Sequence, residues 1–184
     1  MKKLMYVLGL FFTSAIVYAT IFNNKPIEKV KTNAERLHDA IVVYADSFNV
    51  PVNIAFNVAK LETGYRGPYH DNYNHKQVSK AGAVGAMQIM PKYASYFAGF
   101  KVDKTELKDS IELNVFVSMR ALSMLYDRYE NWSKVLGAYH TGKPVINWYA
   151  KKGTTMSYED YWIPEPIIPD SIKSDSTYIV DNKS

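Results

Sequence analysis

Apolar and polar positions alternate with a helical period along most of this chain and mark out a succession of short amphipathic helices. Leu37, Ile41, Tyr44, Ala45 and Phe48 recur at three- and four-residue steps, the spacing that places side chains on one helix face. Thr32, with Glu35 three residues on, is a capping-box pattern for the start of that helix. Asn49 and Pro51 interrupt the run, and Pro is tolerated in the first turn of the next helix. There Ile54, Ala55, Val58 and Leu61 form a second stripe, with Gly64 placed as a left-handed C-cap. Pro91 opens a short helix through Tyr96, and Ala98–Lys108 reads as a loop. Asp109 or Ser110 caps a long helix whose stripe of Ile111, Val115, Leu122, Leu125, Tyr126 and Tyr129 makes it the central packing element. Trp132, Val135, Leu136 and Tyr139 give the next stripe, which Gly142 ends, and Pro144 opens a further helix through Trp148 and Tyr149 to Lys152. From Gly153 the pattern weakens, and 153–184 reads as a flexible tail carrying Pro164, Pro166 and Pro169.

One position departs from the pattern in a chemically useful way. Glu62 lies four residues after Val58 and seven after Ala55, so a carboxylate falls on the buried stripe of the second helix. It also sits in the last helical turn, where the carbonyl end of the dipole disfavours negative charge. Desolvation and dipole both raise a carboxyl pKa, which keeps a proton available to a leaving group near neutral pH. A Glu at a fraying helix end, reaching water, is the plainer alternative.

The neighbouring sequence favours the first reading. Tyr65–Lys80 is a polar loop of the kind that borders binding clefts. Gly82, Ala83, Gly85 and Ala86 let a backbone approach another chain or a ligand closely, and the Gln88 amide can both donate and accept a hydrogen bond. Tyr139 falls on an inward stripe, so its hydroxyl needs a buried partner, for which Glu62 is the candidate. His70, Asp71 and His75 lack further ligands at matching spacing, so neither a metal nor another cofactor is expected.

Three pieces occur in a fixed order. Glu62, Thr63 and Gly64 come first. Ser79, Gly82, Ala83, Gly85, Ala86, Met87 and Gln88 then run into Pro91, and Ala138, Tyr139, His140 and Gly142 follow. The set resembles the catalytic domain of soluble lytic transglycosylases and goose-type lysozymes over residues 33–152. That resemblance implies a mainly α, lysozyme-like domain, with a small β-hairpin in the Tyr65–Val84 region left open. It implies cleavage of the β-1,4 bond between N-acetylmuramic acid and N-acetylglucosamine in peptidoglycan, with a 1,6-anhydro product. Glu62 would be the general acid and afterwards the base. Ser79 and Gln88 would position the sugar, Met87 would pack the cleft wall, and Tyr139 would hold Glu62. Thr63 replaces the family's usual Ser, Ala86 its common Leu, and His140 its usual Asn. The last matters most, because an imidazole titrates near neutrality. A hydrolase of the same fold, with Asp71 activating water, and a wall-binding protein with little catalysis are the alternatives.

Charge and composition narrow the setting. The formal net charge of +4 includes Lys2 and Lys3 of a leader, leaving no basic stripe of the kind nucleic acid requires. The apolar run 4–22 behind those lysines is an export signal, either cleaved after the small residues Val17 and Ala19 or kept as an inner-membrane anchor. A polar tether, 23–32, joins it to the domain. The expected setting is the periplasm, free or membrane-anchored, with peptidoglycan glycan strands as partner and an envelope machine as a second candidate. The chain has no Cys, so its fold rests on its core rather than on disulfides.

Overall fold

The computed structural model describes residues 29–166; the leader, most of the tether and the chain from 167 onward lie outside the described residues. The chain divides into two units, Met1–Val30 and Lys31–Ser184, and the helices below belong to the second. In order they are α1 (Asn33–Ser47), α2 (Val52–Thr63), α3 (Pro91–Ala98), α4 (Lys104–Asp109), α5 (Ile111–Tyr129), α6 (Trp132–Thr141) and α7 (Trp148–Thr155), followed by a 3-10 turn at Tyr158–Asp160. The architecture is mainly α, as the periodicity implies.

The capping box forms reciprocally: the Glu35 amide donates to Thr32 Oγ1 at 3.1 Å and the Thr32 amide to Glu35 Oε2 at 2.6 Å. The long helix α5 is the spine. Ser110 caps it, and its Ile111, Val115, Met119 and Leu122 are buried in one cluster with Leu37 and Ile41 of α1, Val58 of α2 and Leu136 of α6. Arg36 of α1 grips Glu112 of α5 with two nearly parallel bonds, 3.0 and 2.7 Å. Both side chains are partly exposed, so the pair fixes helix alignment more than it adds stability.

The structure departs from the sequence reading in four places. The segment 98–108 is not all loop: Asp103 accepts from the amides of Thr105 and Glu106 and starts α4, which buries Leu107. A single apolar residue in six gives no periodicity to detect. The helix expected from Pro144 begins instead at Trp148, because Asn147 supplies the cap, accepting from the Ala150 amide at 3.0 Å. The hairpin region forms no named strand among the described residues, only the isolated antiparallel bridges Val78–Val84 and Val84–Ile89.

The fourth departure concerns the stretch after Gly153, where the periodicity fades but the packing continues. Asn57, fully buried on α2, donates to the carbonyls of Gly153 (2.9 Å) and Met156 (2.8 Å) and accepts from the Tyr161 hydroxyl (2.9 Å). Asn53, one turn earlier, donates to the Met156 carbonyl and accepts from the Tyr158 amide. Trp162 meets Phe56 edge to face at 5.3 Å, and the Ile163 amide donates to the Arg66 carbonyl at 2.7 Å. The end of α7 and residues 156–163 therefore strap across α2, the latter held by aromatic rings and asparagine amides instead of a helical stripe.

Candidate active site

Glu62 is the penultimate residue of α2, and Gly64 closes the helix in the left-handed region at φ +73°. Its side chain is only 15% exposed. Burial raises its pKa from 4.5 to about 7, against a smaller lowering effect from Tyr149. The carboxyl group can thus hold a proton at neutral pH.

Two rings lie beside it. His140, at the end of α6, places Nδ1 3.9 Å from Glu62 Oε1, close but beyond a hydrogen bond. Partial burial lowers the His140 pKa, which favours the neutral ring. His140 stacks face to face on Tyr149, with centroids 4.3 Å apart and planes 9° apart. The Tyr149 hydroxyl is near enough to Glu62 to shift its titration, yet it is buried without a partner of hydrogen-bonding geometry. The pair is therefore a near contact rather than a formed bond. Burial and the neighbouring carboxyl together push Tyr149 well above the ordinary phenol range, so it stays a donor.

Tyr139 does something other than hold the acid. Its hydroxyl donates to the Met87 carbonyl at 2.7 Å and shares a 2.8 Å bond with Ser118 Oγ. The sequence reading placed it inward correctly, but chose the wrong partner. Met87 is likewise fully buried in the core rather than lining a cleft wall.

The small-residue segment after the loop is pinned from below by Asn114 of α5. That buried amide donates to the carbonyls of Val84 and Leu107, both at 3.0 Å, and accepts from the Met87 amide at 2.8 Å. Gly85 lies against it with no space for a Cβ, which explains the small residue there. Thr63 ties the segment to α2. Its hydroxyl reaches the Ala86 carbonyl (2.8 Å) and the Ala59 carbonyl (3.1 Å) and lies 2.6 Å from the Tyr73 hydroxyl of the polar loop.

Ser79 and Gln88 sit on this segment, but their hydrogen bonds serve the loop itself. Ser79 Oγ accepts from the Ala83 amide at 3.0 Å. Gln88 Nε2 donates to the carbonyls of Gln77 (3.1 Å) and Gly85 (2.9 Å). Both of its partners are acceptors, so the amide nitrogen is committed to holding the loop. Asp71 is exposed in the polar loop. Among the described residues no cluster suited to a metal ion occurs.

The structure thus brings Glu62 and His140 together, and joins Tyr139 to Met87. It adds Tyr149, Ser118 and Asn114, which the sequence reading did not select. For the last two a signal existed: Asn114 and Ser118 fall on the same α5 stripe as Ile111, Val115 and Leu122, and small polar residues on a buried stripe need partners. A cavity of about 1240 Å³ lies elsewhere, lined by Val42, Val43, Val50, Val52, Tyr158 and Trp162 among others and by none of the residues around Glu62.

A mainly helical domain in which a helix-end carboxyl is buried beside phenol and imidazole rings, with the next residue, Thr63, tied to a segment of small residues, is lysozyme-like. The Transglycosylase SLT domain model matches residues 39–161, from within α1 to just past the 3-10 turn. The chain belongs to that family, whose activity is of the lytic transglycosylase type and whose substrate is peptidoglycan.

Proposed function

We propose that the protein is a peptidoglycan lytic transglycosylase that cuts the β-1,4 bond between N-acetylmuramic acid and N-acetylglucosamine, with Glu62 as its acid and then its base. The observation that carries this reading is the 15% exposed carboxyl with its pKa near 7. Protonated Glu62 gives its proton to the glycosidic oxygen as the C1–O bond breaks, and the sugar's own acetamido oxygen closes onto C1. The Glu62 carboxylate then takes the proton of the 6-hydroxyl as that oxygen attacks C1 and expels the acetamido oxygen, leaving the 1,6-anhydro ring. Assistance by the substrate's own acetamido group needs no second carboxylate.

The neutral His140 and the buried Tyr149 hydroxyl support the cycle from either protonation state. The first leaves the proton on Glu62, and the second can donate once the carboxylate forms. We place the domain on the wall side of the membrane, carried there by the leader 1–22, with the leader or tail also able to dock an envelope machine.

Digestion of purified wall followed by mass spectrometry tests the reaction. Anhydro ends are expected from the parent protein and none from Glu62→Gln. Reducing ends would replace the transglycosylase reading with the hydrolase, and an inert parent protein would replace it with a wall-binding role.

A further inference from the structure

Trp148 opens α7 with 59% of its surface exposed, and exposed Val145 and Ile146 lie just before its cap, Asn147. Single exposed apolar residues need no explanation, but this one is built into the ring system around Glu62. His140 meets Trp148 edge to face at 5.8 Å and 74°, and Tyr149 meets it at 5.8 Å and 76°. The same His140 ring is the one 3.9 Å from the Glu62 carboxyl. The indole therefore stands one imidazole away from the proton donor, with its outer surface turned to solvent.

The loop that delivers it is tightly held. Thr141 Oγ1 donates to the Gly137 carbonyl at 2.8 Å and lies 3.2 Å from the Lys143 amide that donates to it. The Val145 amide donates to the Lys143 carbonyl at 2.7 Å, and the Asn147 amide to the Val145 carbonyl at 3.0 Å. The backbone of Val145 presses against Gly137 of α6, where no Cβ would fit. A surface fixed in this way loses little conformational entropy when a ligand covers it.

We propose that Trp148 is a stacking platform for the sugar ring next to the bond on which Glu62 acts. The inference rests on Glu62 being the proton donor, and names a further residue that orients the glycan. An indole offers a broad apolar face with a polar N–H at its edge, matching a pyranose whose axial C–H bonds make one face apolar while its substituents stay polar. Continuity with the Glu62 site selects a glycan as occupant over a protein partner.

Binding in the absence of turnover separates the two readings. Peptide-free N-acetylglucosamine–N-acetylmuramic acid strands are titrated into Glu62→Gln protein and followed by tryptophan fluorescence and calorimetry. The expected result is binding that Trp148→Ala, added to Glu62→Gln, weakens about tenfold and Trp148→Phe weakens far less. The fluorescence change should vanish in the Phe variant, although Trp132 and Trp162 remain. In the otherwise native protein, Trp148→Ala should raise KM about tenfold while kcat falls far less. An unchanged Kd, a fluorescence change that survives Trp148→Phe, or no strand binding at all would overturn the platform. Residual cleavage by Glu62→Gln would instead overturn the role of Glu62, and the binding comparison would still report on Trp148.

Discussion

The Tyr139 hydroxyl donates to the backbone carbonyl of Met87 across 2.7 Å. This bond couples α6, which carries His140, to the segment that carries Gln88. Replacing Tyr139 with Phe leaves the buried Met87 carbonyl and Ser118 hydroxyl short of a partner and should cost about 1–3 kcal/mol of stability, measurable by urea unfolding. The alkaline limb of the activity profile should stay in place. Tyr149→Phe should do the reverse: Tyr149 lowers the Glu62 pKa, so its removal should move that limb upward.

Glu62 itself opposes folding at neutral and alkaline pH. Its pKa is 4.5 when unperturbed and about 7 in the fold, so the folded state binds the proton more tightly. Below pH 4.5 the group is protonated in both states and costs nothing. As pH rises from 4.5 through 7 the unfolded chain ionises first, and stability falls by up to about 3 kcal/mol. Glu62→Gln should therefore be the more stable protein at pH 8, with the difference shrinking on acidification to vanish below pH 4.5. Thermal melts across that range measure it, and equal stability at pH 8 would contradict the burial of the carboxyl.

His140 sets an acid limit. Its pKa is lowered by burial, so the ring is neutral where Glu62 is half-protonated, near pH 7. As pH falls through the His140 pKa, an imidazolium forms 3.9 Å from Glu62 Oε1 and favours the carboxylate over the acid. The pH profile should be a bell with Glu62 on its alkaline side and His140 on its acid side. His140→Asn should keep activity and lose the acid limb; an unchanged profile would remove His140 from the mechanism.

Asn114 offers the sharpest stability test. Asn114→Leu is close in volume but strands two buried carbonyls and one amide, those of Val84, Leu107 and Met87. The expected loss is about 3 kcal/mol or more, with activity falling further than stability alone would explain, because the Gly82–Gln88 segment loses its anchor. Wall-digestion rates compared at equal folded fraction provide the check.

Much of the helical framework was legible because its stripes are long. The starts of α1 and α5 and the ends of α2 and α6 follow from capping residues and apolar spacing, as does the placement of Glu62 on a buried face. What periodicity misses is polar and irregular. α4 is too short to repeat, and the start of α7 depends on Asn147 rather than Pro144. Around the acid, the partner of Tyr139 could not be read from its stripe, since a stripe says that a hydroxyl is buried and nothing about which carbonyl it meets. Tyr149 reaches Glu62 only because the loop over Gly137 folds α7 back against α6, a tertiary event with no local signature.

The strap over α2 redraws the outline of the working unit. Cutting the chain after Lys152 would take away the carbonyls that Asn53 and Asn57 donate to and the rings that shelter Phe56. It would uncover the back of the helix whose far end carries Glu62. Truncations and fusions that preserve the acid's environment should therefore begin their junction beyond Ile163, ten positions past Gly153, where the apolar rhythm fades.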